Sequence, residues 1–180
     1  MTVPPKKRPL ALGSGSAWPA YTTTYGYDGL GRPTSVTTAD GAVASTSYSG
    51  NTTTILDQAL HKKTVTTDGL GRITQVAEDP AGLNIVTSYT WGANSTLQKV
   101  TQGTQNRIYG YDSAGRMTSA NQPESGTVNY TYDSVGNQLS RSDARGRITC
   151  YGSLSGTTCN SGYDALNRPT QIAIPTARPL

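Results

Sequence analysis

Phenylalanine is missing altogether from this 180-residue chain, histidine occurs once and cysteine twice. Each shortage excludes something. Nucleophilic hydrolysis needs a Ser or Cys with a His and a carboxylate in reach. The single His61 stands beside Lys62 and Lys63 in a polar segment that reads as an exposed strand or turn. Two cysteines and one distant histidine do not make a zinc spacing, so no metal site is expected. Long apolar runs are also lacking. Nothing approaches the roughly 20 apolar residues of a membrane-spanning helix, and Leu10-Ala11-Leu12 falls far short of the ~7–15-residue apolar stretch of a signal peptide. The net charge is +4, but Lys6, Lys7 and Arg8 supply three of those charges. The nearly neutral remainder has no basic stripe with interleaved aromatics, which argues against nucleic acid as a partner. Gly13-Ser14-Gly15 precedes no strand–helix unit that could cradle a phosphate, and no cofactor is expected.

What the chain does have points one way. Tyr occurs 11 times and the apolar fraction is only 34%, against about 45–50% for ordinary globular proteins. Thr and Ser recur throughout. Tyr, Thr and Val suit pleated, half-exposed surfaces, whereas Gly, Asn and Asp suit turns. The composition predicts an all-β chain with frequent turns and a thin core.

An eight-residue pattern repeats along it. Tyr27-Asp28-Gly29-Leu30-Gly31-Arg32-Pro33-Thr34 returns as Thr67-Asp68-Gly69-Leu70-Gly71-Arg72-Ile73-Thr74. It returns again around Tyr111, Asp112, Gly115 and Arg116, and around Tyr132, Asp133 and Gly136, where Asn137 replaces the arginine. Further copies run through Asp143, Gly146 and Arg147, and through Tyr163, Asp164 and Arg168. Degenerate copies at Tyr48 and at Tyr89-Thr90-Trp91-Gly92 set a working period close to 21 residues, and weaker turn signals such as Asp57 and Asp79-Pro80-Ala81-Gly82 fall about halfway. Each period then reads as one β-hairpin. Within a copy, the aspartate can bond the backbone two residues on, and Gly supplies φ > 0 at no steric cost. The flanks alternate as half-buried antiparallel strands do, with Val128, Tyr130 and Tyr132 on one face. The arginine lies where a charge-assisted bond to a turn aspartate could pin the turn; the spacing leaves open whether it pairs within its own copy or with a neighbour.

Carried on these motifs, residues 21–175 resemble the YD-repeat (Rhs-repeat) family, which includes bacterial Rhs toxins, wall-associated proteins, insecticidal toxin complex subunits and teneurins. The resemblance implies successive hairpins joined into an open, curved or spiralling sheet, part of a hollow shell. It also implies a non-enzymatic scaffold that encapsulates or presents a C-terminal toxin, secreted or at the cell surface as part of a larger protein. The alternatives are a carbohydrate- or protein-binding surface module using exposed aromatics such as Trp18 and Trp91, and a truncated fragment with no function of its own. Asp79-Pro80-Ala81-Gly82-Leu83 resembles the autocleavage motif at the end of Rhs shells, but it stands mid-array, where an Asp-Pro turn is the better reading.

Residues 1–20 read as a basic, Pro/Gly-rich disordered tail, residues 21–175 as the repeat array, and residues 176–180 as a short C-terminal tail. Cys150 and Cys159 flank a Gly/Ser-rich hairpin loop; a disulfide across it, or two free thiols, are the two readings. With room for about seven hairpins, the sheet should keep two unpaired edges that invite self-association.

Overall fold

The computed structural model describes residues 21–174; the two expected tails, and Trp18 with them, lie outside the described residues. Thirteen strands form one antiparallel sheet in strict chain order, each paired only with its sequence neighbours. They run from β1 (Thr24–Tyr27) and β2 (Pro33–Thr37) through β3 (Val43–Ser49), β4 (Thr52–Leu56), β5 (Lys62–Thr67), β6 (Ile73–Glu78), β7 (Ile85–Trp91), β8 (Leu97–Gln102), β9 (Gln105–Tyr111), β10 (Met117–Gln122), β11 (Gly126–Tyr132) and β12 (Gln138–Ser142) to β13 (Ile148–Cys150). A separate small hairpin, β14 (Leu154–Ser155) with β15 (Thr158–Cys159), follows. The sheet is open, as the all-β repeat pattern predicts.

Period-two alternation gives the sheet two unlike faces. Register places Tyr25 opposite Val36, Tyr48 opposite Thr53, Val65 opposite Val76, Tyr89 opposite Val100, and Ala120 between Tyr109 and Val128, all on one face. The other face carries a row of direct cross-strand partners running Ser49, Thr52, Thr66, Gln75, Ser88, Thr101 and Asn106 across β3 to β9. Only Ala77, Ala120, Val128 and Cys150 are buried apolar residues among those described. A single layer with so little burial must take its order from turns and strand pairing more than from a core.

Twelve turns join the strands and alternate between two edges of the sheet. Those at Asp28–Arg32, Asp68–Arg72, Asp112–Arg116 and Asp133–Asn137 lie on the first edge, and Asp57–His61 and Asp143–Arg147 on the second. The copy at Asp143 is therefore a half-period turn, ten residues after Asp133.

The last unit departs from the expected arrangement. The Tyr163–Arg168 turn keeps the standard geometry: Tyr163 bridges Pro169 just as Tyr27 pairs Pro33 and Tyr132 pairs Gln138. Ala173 then bridges Cys150 in antiparallel sense, with both backbone bonds at 2.9 Å. Residues 169–173 thus occupy the place of the next strand. The chain between, residues 151–160, is an insertion that leaves the sheet as β14 and β15 and returns beside its own starting point. At its base Gly152 and Gly162 pack so closely that a Cβ on Gly152 would lie 2.6 Å from Gly162 N and closer still to Asn160 O. The Sγ atoms of Cys150 and Cys159 lie at bonding distance across the same base, with their Cα atoms 5.3 Å apart. Both expected edges are open among the described residues: β1 at one end and, at the other, residues 169–173, which cover β13 at Cys150 and have no strand on their own outer side.

Candidate functional site

The feature that recurs is the turn, and its chemistry is the same from copy to copy. At Asp112 the backbone N–H donates to Arg116 O at 2.9 Å, and Gly115 N–H closes a four-residue turn onto Asp112 O at 3.0 Å. Asp112 Oδ1 accepts from Ala114 N–H at 3.0 Å and Arg116 N–H at 2.9 Å, and Oδ2 takes Arg116 Nε–H at 2.7 Å. The carboxylate therefore satisfies two backbone donors and one guanidinium at once. Asp28 with Arg32, Asp68 with Arg72, and Asp164 with Arg168 repeat the same set of contacts. Asp143 keeps both backbone bonds, but Arg147 stands off at 3.8 Å. The charge pair is made within the unit, while Arg72 Nη1 also donates to Gly92 O at 3.1 Å and Arg116 Nη1 to Asp133 O at 3.3 Å in the next turn of the same edge.

The fourth position of the turn has positive φ: Gly31 at 76°, Gly71 at 77°, Gly115 at 77° and Gly146 at 76°. In the Asp57 turn Leu60 holds this position at φ 68°, with His61 in place of the arginine and its Nδ1 3.0 Å from Asp57 Oδ2. Asp57 is thus a full copy that shows in the sequence only as a weak turn signal, because two of its three marker residues differ. Leu60 is 71% exposed, so its side chain gains little from packing while its backbone is strained. Leu60→Gly is expected to raise stability by about 0.5–1 kcal/mol, the relief of strain less the greater unfolded-state entropy of glycine. Chemical denaturation checks this; a loss of stability would show that Leu60 makes contacts that matter.

These bonds set the pH limits of the array. The Arg116 and Arg32 backbone N–H groups hold Asp112 and Asp28 below the ordinary carboxylate value, and the Arg168 guanidinium leads in doing so for Asp164. At Asp68, desolvation pushes upward but the bonds from Arg72 outweigh it. A depressed folded-state value means stability present above the unfolded carboxylate value and lost as pH falls through the folded one. The array should therefore hold steady from neutrality to about pH 5 and lose stability progressively below about pH 4. Denaturant midpoints across that range test it, and a midpoint unchanged into strong acid would rule it out. Desolvation raises Tyr111, Tyr132 and Tyr163, which works in the opposite sense. Their contribution persists below the unfolded tyrosine value near 10 and is lost as pH rises beyond it.

The turns of the first edge are linked to one another. Tyr48 Oη donates to Pro33 O at 3.0 Å, Trp91 Nε1 to Ile73 O at 2.7 Å, and Tyr111 Oη to Leu97 O at 3.0 Å. Tyr132 Oη reaches Met117 O at 2.7 Å and Tyr163 Oη reaches Gln138 O at 2.7 Å. Each aromatic thus bonds the carbonyl at the strand start one turn back. Where Thr67 replaces the tyrosine, Thr67 N–H and Asn51 Nδ2 close the rung instead, at 3.0 and 2.7 Å. Three of these rings lie under the preceding arginine: Arg32 is 4.1 Å from the Tyr48 centroid, Arg72 5.7 Å from Trp91, and Arg116 4.8 Å from Tyr132. Aspartate, arginine and the next aromatic are linked at three of these turns, while backbone-directed bonds carry the ladder through the others, and this edge is where the structure brings most of the motif residues together. Tyr27, at the outset, has no preceding turn among the described residues and is 62% exposed. Cys150 and Cys159 stand apart from the ladder, at the base of the insertion. The sequence marked the aromatic positions but not the rungs, because an inter-turn bond to a backbone carbonyl leaves no residue signature at the acceptor.

Comparison with known proteins agrees with this geometry. The teneurin YD-shell family model matches residues 14–154. No curated protein sequence matches the chain. Among solved structures, the TcdB2–TccC3 crystal structure is 20% identical with a TM-score of 0.62, covering 73% of this chain and 8% of that one. The TcdB2–TccC3–Cdc42 crystal structure is 17% identical with a TM-score of 0.64, covering 86% and 9%. The Tc holotoxin pore of Photorhabdus luminescens is 19% identical with a TM-score of 0.62, covering 72% and 8%. At such identities the likeness is one of fold.

Proposed function

Because the chain belongs to the teneurin YD-shell family, whose fold is a structural scaffold, we propose that it forms one stretch of the wall of a larger β-shell that encloses or presents a C-terminal toxin, exported as part of that larger protein. The observation that carries this reading is the match in fold to a small part of much longer chains: the array spans only 8–9% of the TcdB2–TccC3 structures it matches. A further TcdB2–TccC3 crystal structure lacks a hypervariable C-terminal region, which fits a wall with an exchangeable cargo. The chemistry agrees, since the motif aspartates and arginines are committed to holding turns and the sheet keeps an open edge at β1.

A carbohydrate-binding module would want free aromatic faces. Trp91 is not free: its ring lies beside Arg72 and its Nε1–H is spent on Ile73 O. Tyr21, Tyr25 and Tyr27 are exposed at the β1 end, but the fold match supports the wall reading better.

The test uses the reading frame carrying this array, expressed together with its flanking sequence. Limited proteolysis should leave the region C-terminal to the array intact at neutral pH and expose it after acidification below about pH 4, where the aspartate turns fail. Cleavage of that region at neutral pH as fast as when it is expressed alone would overturn enclosure.

A further inference from the structure

The two ends of the array hold complementary halves of one ladder rung, and we propose that a second copy of this chain docks there head to tail, its β1 pairing with residues 169–173. This goes beyond the wall reading: the two edges at which flanking strands would continue a larger wall are the ones offered here to a second copy of this chain.

The half-rungs are specific. Each ring that leads into a first-edge turn and has another such turn before it, Tyr48, Trp91, Tyr111, Tyr132 and Tyr163, donates to a carbonyl one turn back. Tyr27 is the ring without one: among the described residues it has no hydrogen-bond acceptor and is 62% exposed. At the far end the deficit is reversed. Arg168-Pro169-Thr170 repeats the tripeptide Arg32-Pro33-Thr34, and Pro33 O is the acceptor for Tyr48. Pro169 O has no such donor among the described residues. Arg168 also lacks a ring. The arginines that have one, Arg32, Arg72 and Arg116, have side chains 44%, 22% and 35% exposed, whereas Arg168 is 70% exposed. A ring brought beside Arg168 as Tyr48 stands beside Arg32 would supply both missing contacts.

The phase is right as well. Thirteen strands plus residues 169–173 make fourteen strand positions, an even number. Residues 169–173 run away from the first edge and β1 runs toward it, so the two are antiparallel with their turn edges aligned. The added copy therefore keeps its tyrosine face and its ladder continuous with the first. Apolar side chains stand exposed at both ends, Tyr25 and Tyr27 at one and Ile172 and Ile174 at the other. Each end meets its opposite and not itself, so the contact is heterologous and grows as an open series.

The experiment is sedimentation velocity on the full chain and on two variants blocked at opposite ends. Tyr27→Ala removes the ring. Arg168→Asn removes the guanidinium while keeping a side chain that this turn tolerates, since Asn137 serves Asp133 in that way. The wild type should show a concentration-dependent series of species. Tyr27→Ala alone should associate at least about tenfold more weakly, through the combined loss of a hydrogen bond and a cation–π contact, and Arg168→Asn alone several-fold more weakly, through loss of the cation–π contact only. An equimolar mixture should recover association but stop at a 1:1 dimer, because each variant retains the end the other lacks. Tyr27→Phe, which keeps the ring and loses only the hydroxyl, should fall between. Association of either variant at wild-type strength, or a mixture no more associated than its parts, would overturn the proposal. A wild type that stays monomeric with its strands fully protected from hydrogen exchange would overturn docking and leave the wall reading standing. Loss of strand protection in the wild type would count against both.

Discussion

Gly152→Ala is expected to detach the last unit of the array without unfolding the rest. Gly152 sits at φ 144°, where an L side chain is strained, and its Cβ would collide with the backbone of Asn160 and Gly162. Neither obstacle is a side chain that can swing away. The cost should reach about 2–4 kcal/mol, combining backbone strain with a clash against main chain. It falls where little opposes it, because residues 169–173 hold to β13 through one bridge at Cys150. Hydrogen exchange should show the Cys150, Ala173 and Gly162 amides losing protection while β3 to β11 keep theirs. Gly156→Ala is the matched control: it also has positive φ, at 60°, but open space around it, so it should cost only the ~1–2 kcal/mol of left-handed strain. Equal effects of the two would mean the close approach of Gly152 and Gly162 does not hold the unit.

The second large effect concerns the cysteines. A bond between Cys150 and Cys159, nine positions apart, would close a short loop worth about 2.5 kcal/mol in lost unfolded-state entropy. Cys159→Ser should therefore lower the stability of the C-terminal unit by that amount. Cys150→Ser should cost about 1–2 kcal/mol more, because Cys150 is fully buried and a serine there would bring a hydroxyl into a site with no waiting partner. A reductant should reproduce the Cys159→Ser effect in the wild type and add nothing to the variant. If it left the wild type unchanged, the two thiols are free, and the base of the insertion is held by Gly152 and Gly162 alone.

These two sites also mark where the sequence stopped being readable. The turn was legible because its chemistry is local: Asp, Gly and Arg within five residues report directly on backbone bonds made within those residues. The sheet was legible from the repetition of that unit. The insertion was not, for an arithmetical reason. Asp143 and Asp164 are 21 residues apart, which looks like one ordinary period. It is in fact a half-period plus the ten inserted residues, and a period cannot distinguish these sums. The ladder was half legible. Its donors, Tyr48, Trp91, Tyr111, Tyr132 and Tyr163, recur in the sequence, but its acceptors are the carbonyls of Pro33, Ile73, Leu97, Met117 and Gln138. Any residue type offers a carbonyl, so those positions vary freely. The likeness of Asp57–His61 to its fellow turns was obscured similarly, since Leu60 takes up by strain the conformation that glycine adopts elsewhere.

The strict chain order of the thirteen strands has a mechanical consequence. Hydrogen bonds between antiparallel strands run across the strand direction, and here each strand is held only by its sequence neighbours. Pulled by its two ends, the sheet would load its terminal strand pairs like the teeth of a zip, a few bonds at a time. It should lengthen in small steps of one strand each at low force, where a sheet with distant strands side by side would resist until it sheared as a whole.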